Sequence, residues 1–155
     1  MFYAILAGFS ALIVGLDQLT KWLTVRNIPF LQNIDGAQGN FLFYLTHTEN
    51  TGAAWSMLEG KTWLFTLVML VFLVTVVALV WKKVLAKPFE LWCVAAIVGG
   101  GIGNLIDRLV RGSVTDMIGF SFWKAFPIFN VADCFITVGC AALLLYVLFF
   151  DRSKA

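Results

Sequence analysis

Four long apolar runs, separated by shorter polar stretches, set the pattern of the chain. The first runs from Phe2 to Leu16 and closes on Asp17-Gln18-Leu19-Thr20-Lys21-Trp22. Thr62 to Trp81 is apolar without interruption, and further runs extend from about Phe89 to Val110 and from about Asn130 to Phe150. Each is near the ~20 residues that a helix needs to cross a hydrocarbon core, which predicts spans over 2–25, 62–81, 89–110 and 130–150. Trp63 and Trp81 mark the two ends of the second run, as interfacial aromatics do, and its lack of charge predicts a lipid-facing scaffold. The intervening segment 26–61 is different in kind. Pro29, Gly36, Gly39 and Asn40 are turn formers, and Phe41 to Thr48 is aromatic and β-branched but too short to span. That stretch predicts one or two short strands at the membrane surface. The expected architecture is therefore an all-α integral membrane protein, a single membrane domain over 1–155. Its four transmembrane helices carry a small extracytoplasmic β-element and loop, in segments 26–61 and 111–129. The first run lacks a basic leader and a small-residue cleavage site, its first basic residue being Lys21. It reads as a retained helix and not as a cleaved signal.

Composition narrows the class further. Of 155 residues, 61% are apolar and 13% charged, with a mean hydropathy of +0.89, whereas soluble domains carry roughly 45–50% apolar and about 25% charged residues. A net charge of +2, with no basic run longer than Lys82-Lys83, gives no footprint for nucleic acid. Cys93, Cys134 and Cys140 all fall within apolar runs and show no CxxC spacing. They read as small packing residues rather than as disulfides or zinc ligands.

Charge distribution predicts an orientation. Four spans leave both termini on one side. The Lys82/Lys83/Lys87 loop and the Arg152/Lys154 tail then mark the cytoplasmic face by the positive-inside rule, although Arg26, Lys61, Arg111 and Lys124 sit in the outer segments. With that topology the acids of interest converge on the outer end. Asp17 and Lys21 close helix one, four apart and able to pair. Asn104, Asp107 and Arg108 close helix three, Asn130 and Asp133 open helix four, and Asp116 lies in the loop between them. Helix two carries no acid and the inner halves read as bare. Gly100, Asn104, Asp107 and Arg108 share one helical face, as do Asn130, Asp133 and Thr137. Gly99 and Gly103 form a small-xxx-small pair suited to close helix contact. Asp107 beside Arg108 reads as a buried pair that neutralises itself. The Gly52-Ala53-Ala54 run allows another backbone or a ligand to approach closely. His47, the one histidine, reads as an interfacial side chain.

Intramembrane ionisable groups are functional candidates by default, and the inventory limits what they can do. There is no GxSxG elbow, no HExxH, and no histidine near a serine or cysteine nucleophile in an apolar run. Carboxylate chemistry remains: two aspartates close together share one proton, one activating water and the other acting as acid. Asp116 and Asp133 are the candidate catalytic pair. The GxGD motif of presenilin-type proteases is absent. Two other classes of function make different demands. A proton or ion relay would distribute acids through the membrane depth, and a helix-binding assembly factor would act through Gly99/Gly103 and tolerate neutral aspartates.

Five motifs in order give a family resemblance along essentially the whole chain. They are Asp17-Gln18-Leu19-Thr20-Lys21, Asn50-Thr51-Gly52-Ala53-Ala54, Gly103-Asn104-Leu105-Ile106-Asp107-Arg108, Val114-Thr115-Asp116-Met117 and Phe129-Asn130-Val131-Ala132-Asp133. The chain resembles lipoprotein signal peptidase (signal peptidase II), a family of aspartyl peptidases. The resemblance implies an intramembrane endopeptidase of the bacterial inner membrane that removes the signal peptide of diacylglyceryl-modified prolipoproteins, cleaving before the lipidated cysteine. It implies Asp116 and Asp133 as the catalytic aspartates. Asp17, Lys21, Asn50, Gly52, Gly100, Asn104, Asp107, Arg108, Asn130 and Ala132 match positions that bind substrate or support the site. It also implies a helical loop over the cleft, no metal or other cofactor, a monomer among membrane lipids, and inhibition by cyclic peptides of the globomycin type. Trp55 stands where phenylalanine is expected, a departure confined to an apolar contact.

Overall fold

A computed structural model describes residues 1–34, 42–52 and 61–150 of the chain. Four helices carry the apolar runs: α1 (Phe2–Asn27), α2 (Thr62–Trp81), α3 (Pro88–Arg111) and α4 (Val131–Phe149). All four are long and apolar enough to cross a membrane. Three strands, β1 (Asn33–Ile34), β2 (Phe43–Asn50) and β3 (Val114–Phe120), form one antiparallel sheet in the order β1-β2-β3. The expected membrane fold with its small β-element is thus observed. Gly36, Gly39, Asn40, the Ala53-Ala54-Trp55 part of the second motif, and Arg152 and Lys154 lie outside the described residues.

Helix α3 is the axis. Two thirds of its apolar window (67%) is buried, against 11–17% for the other three helices. Glycine makes this possible. A Cβ on Gly99 would meet Ile13 Cβ and Ser10 O of α1, both at 2.9 Å, and one on Gly100 would meet Ala132 O of α4 at 2.5 Å. The close contact expected of Gly99 and Gly103 is thus made with α1. Ser10 adds a hydrogen bond across it, Oγ donating to Ala95 O at 2.8 Å. Helix α2 buries only Leu73 and Val76, and Trp63 and Trp81 at its ends are exposed, as a scaffold facing lipid requires.

The ends of α3 and α4 are written locally. Pro88 opens α3 in the first turn, where its missing N–H costs nothing. Glu90 Oε2 accepts from Ala86 N at 2.8 Å and Lys87 N at 3.0 Å. Glu90 corrects the expectation that the inner ends carry no acid: it is fully buried there, capping a helix start. Gly112 ends α3 in the left-handed region at φ 76°. Asn130 caps α4, Oδ1 accepting from Asp133 N at 2.9 Å while Asp133 Oδ2 accepts from Asn130 N at 3.4 Å, a reciprocal capping box.

Strand β3 corrects the sequence reading, which placed Asp116 in a loop. It pairs with β2 through Thr48↔Asp116, Glu49↔Thr115 and Asn50↔Val114. Val114 to Met117 are all buried, so the in-out alternation that betrays a strand is missing here, and a central aspartate is a poor strand former. Between the pairs Leu45↔Ile118 and Thr48↔Asp116 the register shifts. Thr46 and His47 there oppose Met117 alone, in a bulge. His47, expected at the interface, is instead buried in that bulge, its Nδ1–H donating to Ile28 O at 3.0 Å. The sheet is thereby tied to the end of α1.

Candidate active site

The polar residues of α1, α3, α4 and the sheet meet at the sheet end of the helices. Asp17, Lys21 and Asp107 are fully buried. Lys21 Nζ lies 2.8 Å from Asp17 Oδ2 and 3.1 Å from Asp107 Oδ2, and donates to Asn104 Oδ1 at 2.9 Å. Two carboxylates and one ammonium, with hydrogen bonds to the remaining lone pairs, are the arrangement that makes buried charge tolerable. Gln18, absent from the expected site, supplies part of this: its Nε2 donates to Asp17 Oδ2 at 3.3 Å, Gly103 O at 3.1 Å and Asp107 Oδ1 at 3.1 Å. Its place between Asp17 and Lys21, at the polar close of the first apolar run, was the available signal. Asp107 Oδ2 also accepts from Thr115 N at 3.2 Å, and Asp17 Oδ1 from Ala132 N at 3.0 Å.

Asp107 therefore pairs with Lys21 and not, as the sequence suggested, with Arg108. Neighbouring residues on a helix point about 100° apart and do not face one another. Arg108 turns away into a cavity, with Nη1 donating to Asn104 O at 3.4 Å.

Three carboxamides hold the candidate pair. Asn104 Nδ2 donates to Asp133 Oδ1 at 2.7 Å. Asn130 Nδ2 donates to Asp116 Oδ1 at 2.6 Å, to Asn104 Oδ1 at 3.1 Å and to Thr115 O at 3.4 Å. Asn50 Nδ2 reaches Asp116 Oδ2 at 3.1 Å, its own Oδ1 fixed by Gly52 N at 3.0 Å. Thr48 Oγ1 secures the backbone, donating to Asp116 O at 3.3 Å. Burial, and then the negative charge of Asp133, push the Asp116 carboxyl up to about 7, against the lowering effect of the Asn50 and Asn130 hydrogen bonds.

The two aspartates come together because β3 and the start of α4 are stitched. Met117 N and Ile118 N donate to Phe129 O at 3.0 and 2.8 Å, and Phe129 N donates to Ile118 O at 3.0 Å. Both carboxyls line one cavity of about 820 Å³, shared with Asn50, Asn104, Arg108 and Thr137 and walled by Phe43, Phe120, Phe126 and Phe129. An apolar chamber with a few convergent polar groups is the usual form of a binding site. Of the expected residues, Gly52, Asn50, Asn104 and Arg108 reach the cavity. Asp17, Lys21 and Asp107 stand behind it. Gly100 and Ala132 are the point at which α3 and α4 touch.

Sequence and structure comparisons identify the family. Residues 9–149 match the family described as Signal peptidase (SPase) II. A lipoprotein signal peptidase of Listeria monocytogenes serotype 4a is 39% identical over 143 residues, 91% of each chain. One of Enterococcus faecalis is 39% identical over 144 residues, covering 93% of this chain and 88% of the relative. Two solved structures, both described as bacterial membrane enzymes, superpose with TM-scores of 0.87 and 0.83 at 27% and 28% identity. They cover 98% and 96% of this chain, and 92% and 95% of theirs. On the family match and on identity along most of its length, this chain belongs to the signal peptidase II family.

Proposed function

We propose that this chain is a membrane aspartyl endopeptidase that removes the signal peptide from diacylglyceryl-modified bacterial prolipoproteins, cutting before the lipidated cysteine. The observation that carries the reading is that Asp116 and Asp133 open into the same largely apolar cavity, each fixed by carboxamide donors. In the catalytic cycle the pair shares one proton. The ionised carboxyl takes a proton from water, and the resulting hydroxide adds to the scissile carbonyl. The protonated carboxyl gives its proton to the departing amine as the C–N bond breaks. The apolar walls suit the acyl chains of the substrate, and Arg108 and Asn104 are polar enough to orient its backbone. The enzyme acts as a monomer among membrane lipids. Cyclic peptides of the globomycin type would compete for the same cavity. By the positive-inside rule the Lys82/Lys83/Lys87 loop and both termini lie in the cytoplasm, with the sheet and the site on the outer face.

The test is cleavage of a lipidated precursor in proteoliposomes. Asp116→Asn and Asp133→Asn should each lower kcat by about 10⁴-fold while membrane insertion and helix content are unchanged. Cleavage at the wild-type rate by either variant would remove that residue from the chemistry. Equal cleavage of lipidated and unlipidated precursor would remove the substrate assignment.

A further inference from the structure

Lys21 has no access to the cavity and yet stands one hydrogen bond behind it. Its ammonium has three N–H groups, and the structure gives it three partners: Asp17 Oδ2, Asp107 Oδ2 and Asn104 Oδ1. It is fully buried, so no N–H remains for a substrate or for proton transfer. The consequence falls on Asn104. Its Oδ1 receives two donors from opposite sides, Lys21 Nζ at 2.9 Å and Asn130 Nδ2 at 3.1 Å. Rotating the carboxamide by 180° would set its NH2 against an ammonium and a second NH2, two donor-to-donor contacts in a buried site. Only one orientation is open, and it directs Nδ2 at Asp133 Oδ1, 2.7 Å away.

We infer that Lys21 is a positioning residue that acts through Asn104, locking its carboxamide so that a hydrogen-bond donor faces Asp133 throughout the reaction. This rests on the reading of Asp116 and Asp133 as the catalytic pair. The groups that face Asp133 are Asn104 and Arg108 from α3, Asn130 at the start of α4 and Asp116 from β3. Asp17, Lys21 and Asp107 form the layer behind them. A donor held against Asp133 favours the ionised member of the pair. Without the lock, Asn104 can present its oxygen to Asp133, and the acidic limb of the rate profile moves to higher pH.

Lys21→Met alone leaves two buried carboxylates, Asp17 and Asp107, without a cation and takes the cluster to a net charge of −2, which endangers folding. The informative variant is Lys21→Met with Asp107→Asn. The buried cluster then keeps its wild-type net charge of −1: Asp17, Asp107 and Lys21 sum to −1 before, and Asp17 alone to −1 after. The hydrogen bond to Asn104 is lost while the net charge of the cluster is held. Kinetics on lipidated precursor in proteoliposomes should show kcat reduced about tenfold with KM within about twofold, since no substrate contact is touched. The acidic limb should rise by about half a pH unit or more. A double variant with wild-type kcat, or one whose kcat falls while the limb stays in place, would overturn the positioning role. A wild-type enzyme that fails to cleave the precursor would instead count against the proposed function.

Discussion

Asp116 and Asp133 are held by different means, and the difference has a measurable sign. Asp133 belongs to the capping box of α4 and is half-buried at the cavity. Asp116 is buried on a strand with two carboxamide donors and, among the described residues, no cation in contact, its carboxyl pushed up to about 7 chiefly by burial. A group whose folded pKa is raised stabilises the fold below its unfolded pKa of about 4, and loses that contribution as pH rises through the folded value. Replacing Asp116 by asparagine removes the titration. The difference in thermal midpoint, Asp116→Asn minus wild type, should therefore grow more positive from about pH 5 to about pH 8. Thermal unfolding in detergent across that range reads it. A difference that is flat or falls with pH would show that Asp116 titrates in its ordinary range.

At the scale of elements, glycine positions divide sharply by what a methyl group would meet. At Gly100 it meets the Ala132 carbonyl at 2.5 Å and at Gly103 the Asp17 carboxylate at 2.5 Å, whereas at Gly15 nothing lies within 4 Å. Gly100→Ala should separate α3 from α4 and cost about 1–3 kcal/mol with loss of activity. Gly15→Ala should stay within about 0.5 kcal/mol of wild type with activity intact. Thermal midpoint and cleavage rate, measured on both, check the contrast. The four apolar lengths and the convergence of polar residues at one end were legible in the sequence, because both follow from helix rise and period. Strand β3 was not, because it is buried on both faces and shows no alternation at Asp116. Nor was the partner of Asp107, because a one-dimensional reading pairs neighbours that helical geometry holds apart. The bulge that buries His47 has no marker in sequence at all.

Taken whole, the molecule is asymmetric along the helix bundle: the sheet, the cavity and the Asp17–Lys21–Asp107 cluster lie at one end, the Lys82/Lys83 turn and the capping Glu90 at the other. The proposed orientation makes this testable with a membrane-impermeant maleimide on intact cells, in a chain whose three cysteines are replaced by alanine. Lys124→Cys, on the sheet side, should label before lysis, and Lys83→Cys only after it. The opposite pattern would invert the topology.

The hydrogen bond from Ala132 N to Asp17 Oδ1 joins residues 115 positions apart. The first turn of α4 has backbone N–H groups that its own helix cannot satisfy, and the side chain that meets one of them is synthesised well before it. A ribosome makes α1 first and α4 last. Asp133 reaches its place only when that later segment docks on α1 and α3, so a nascent chain that lacks α4 carries only Asp116 of the pair. The cavity that Asp116 and Asp133 share thus forms only once α4 has been made and has docked.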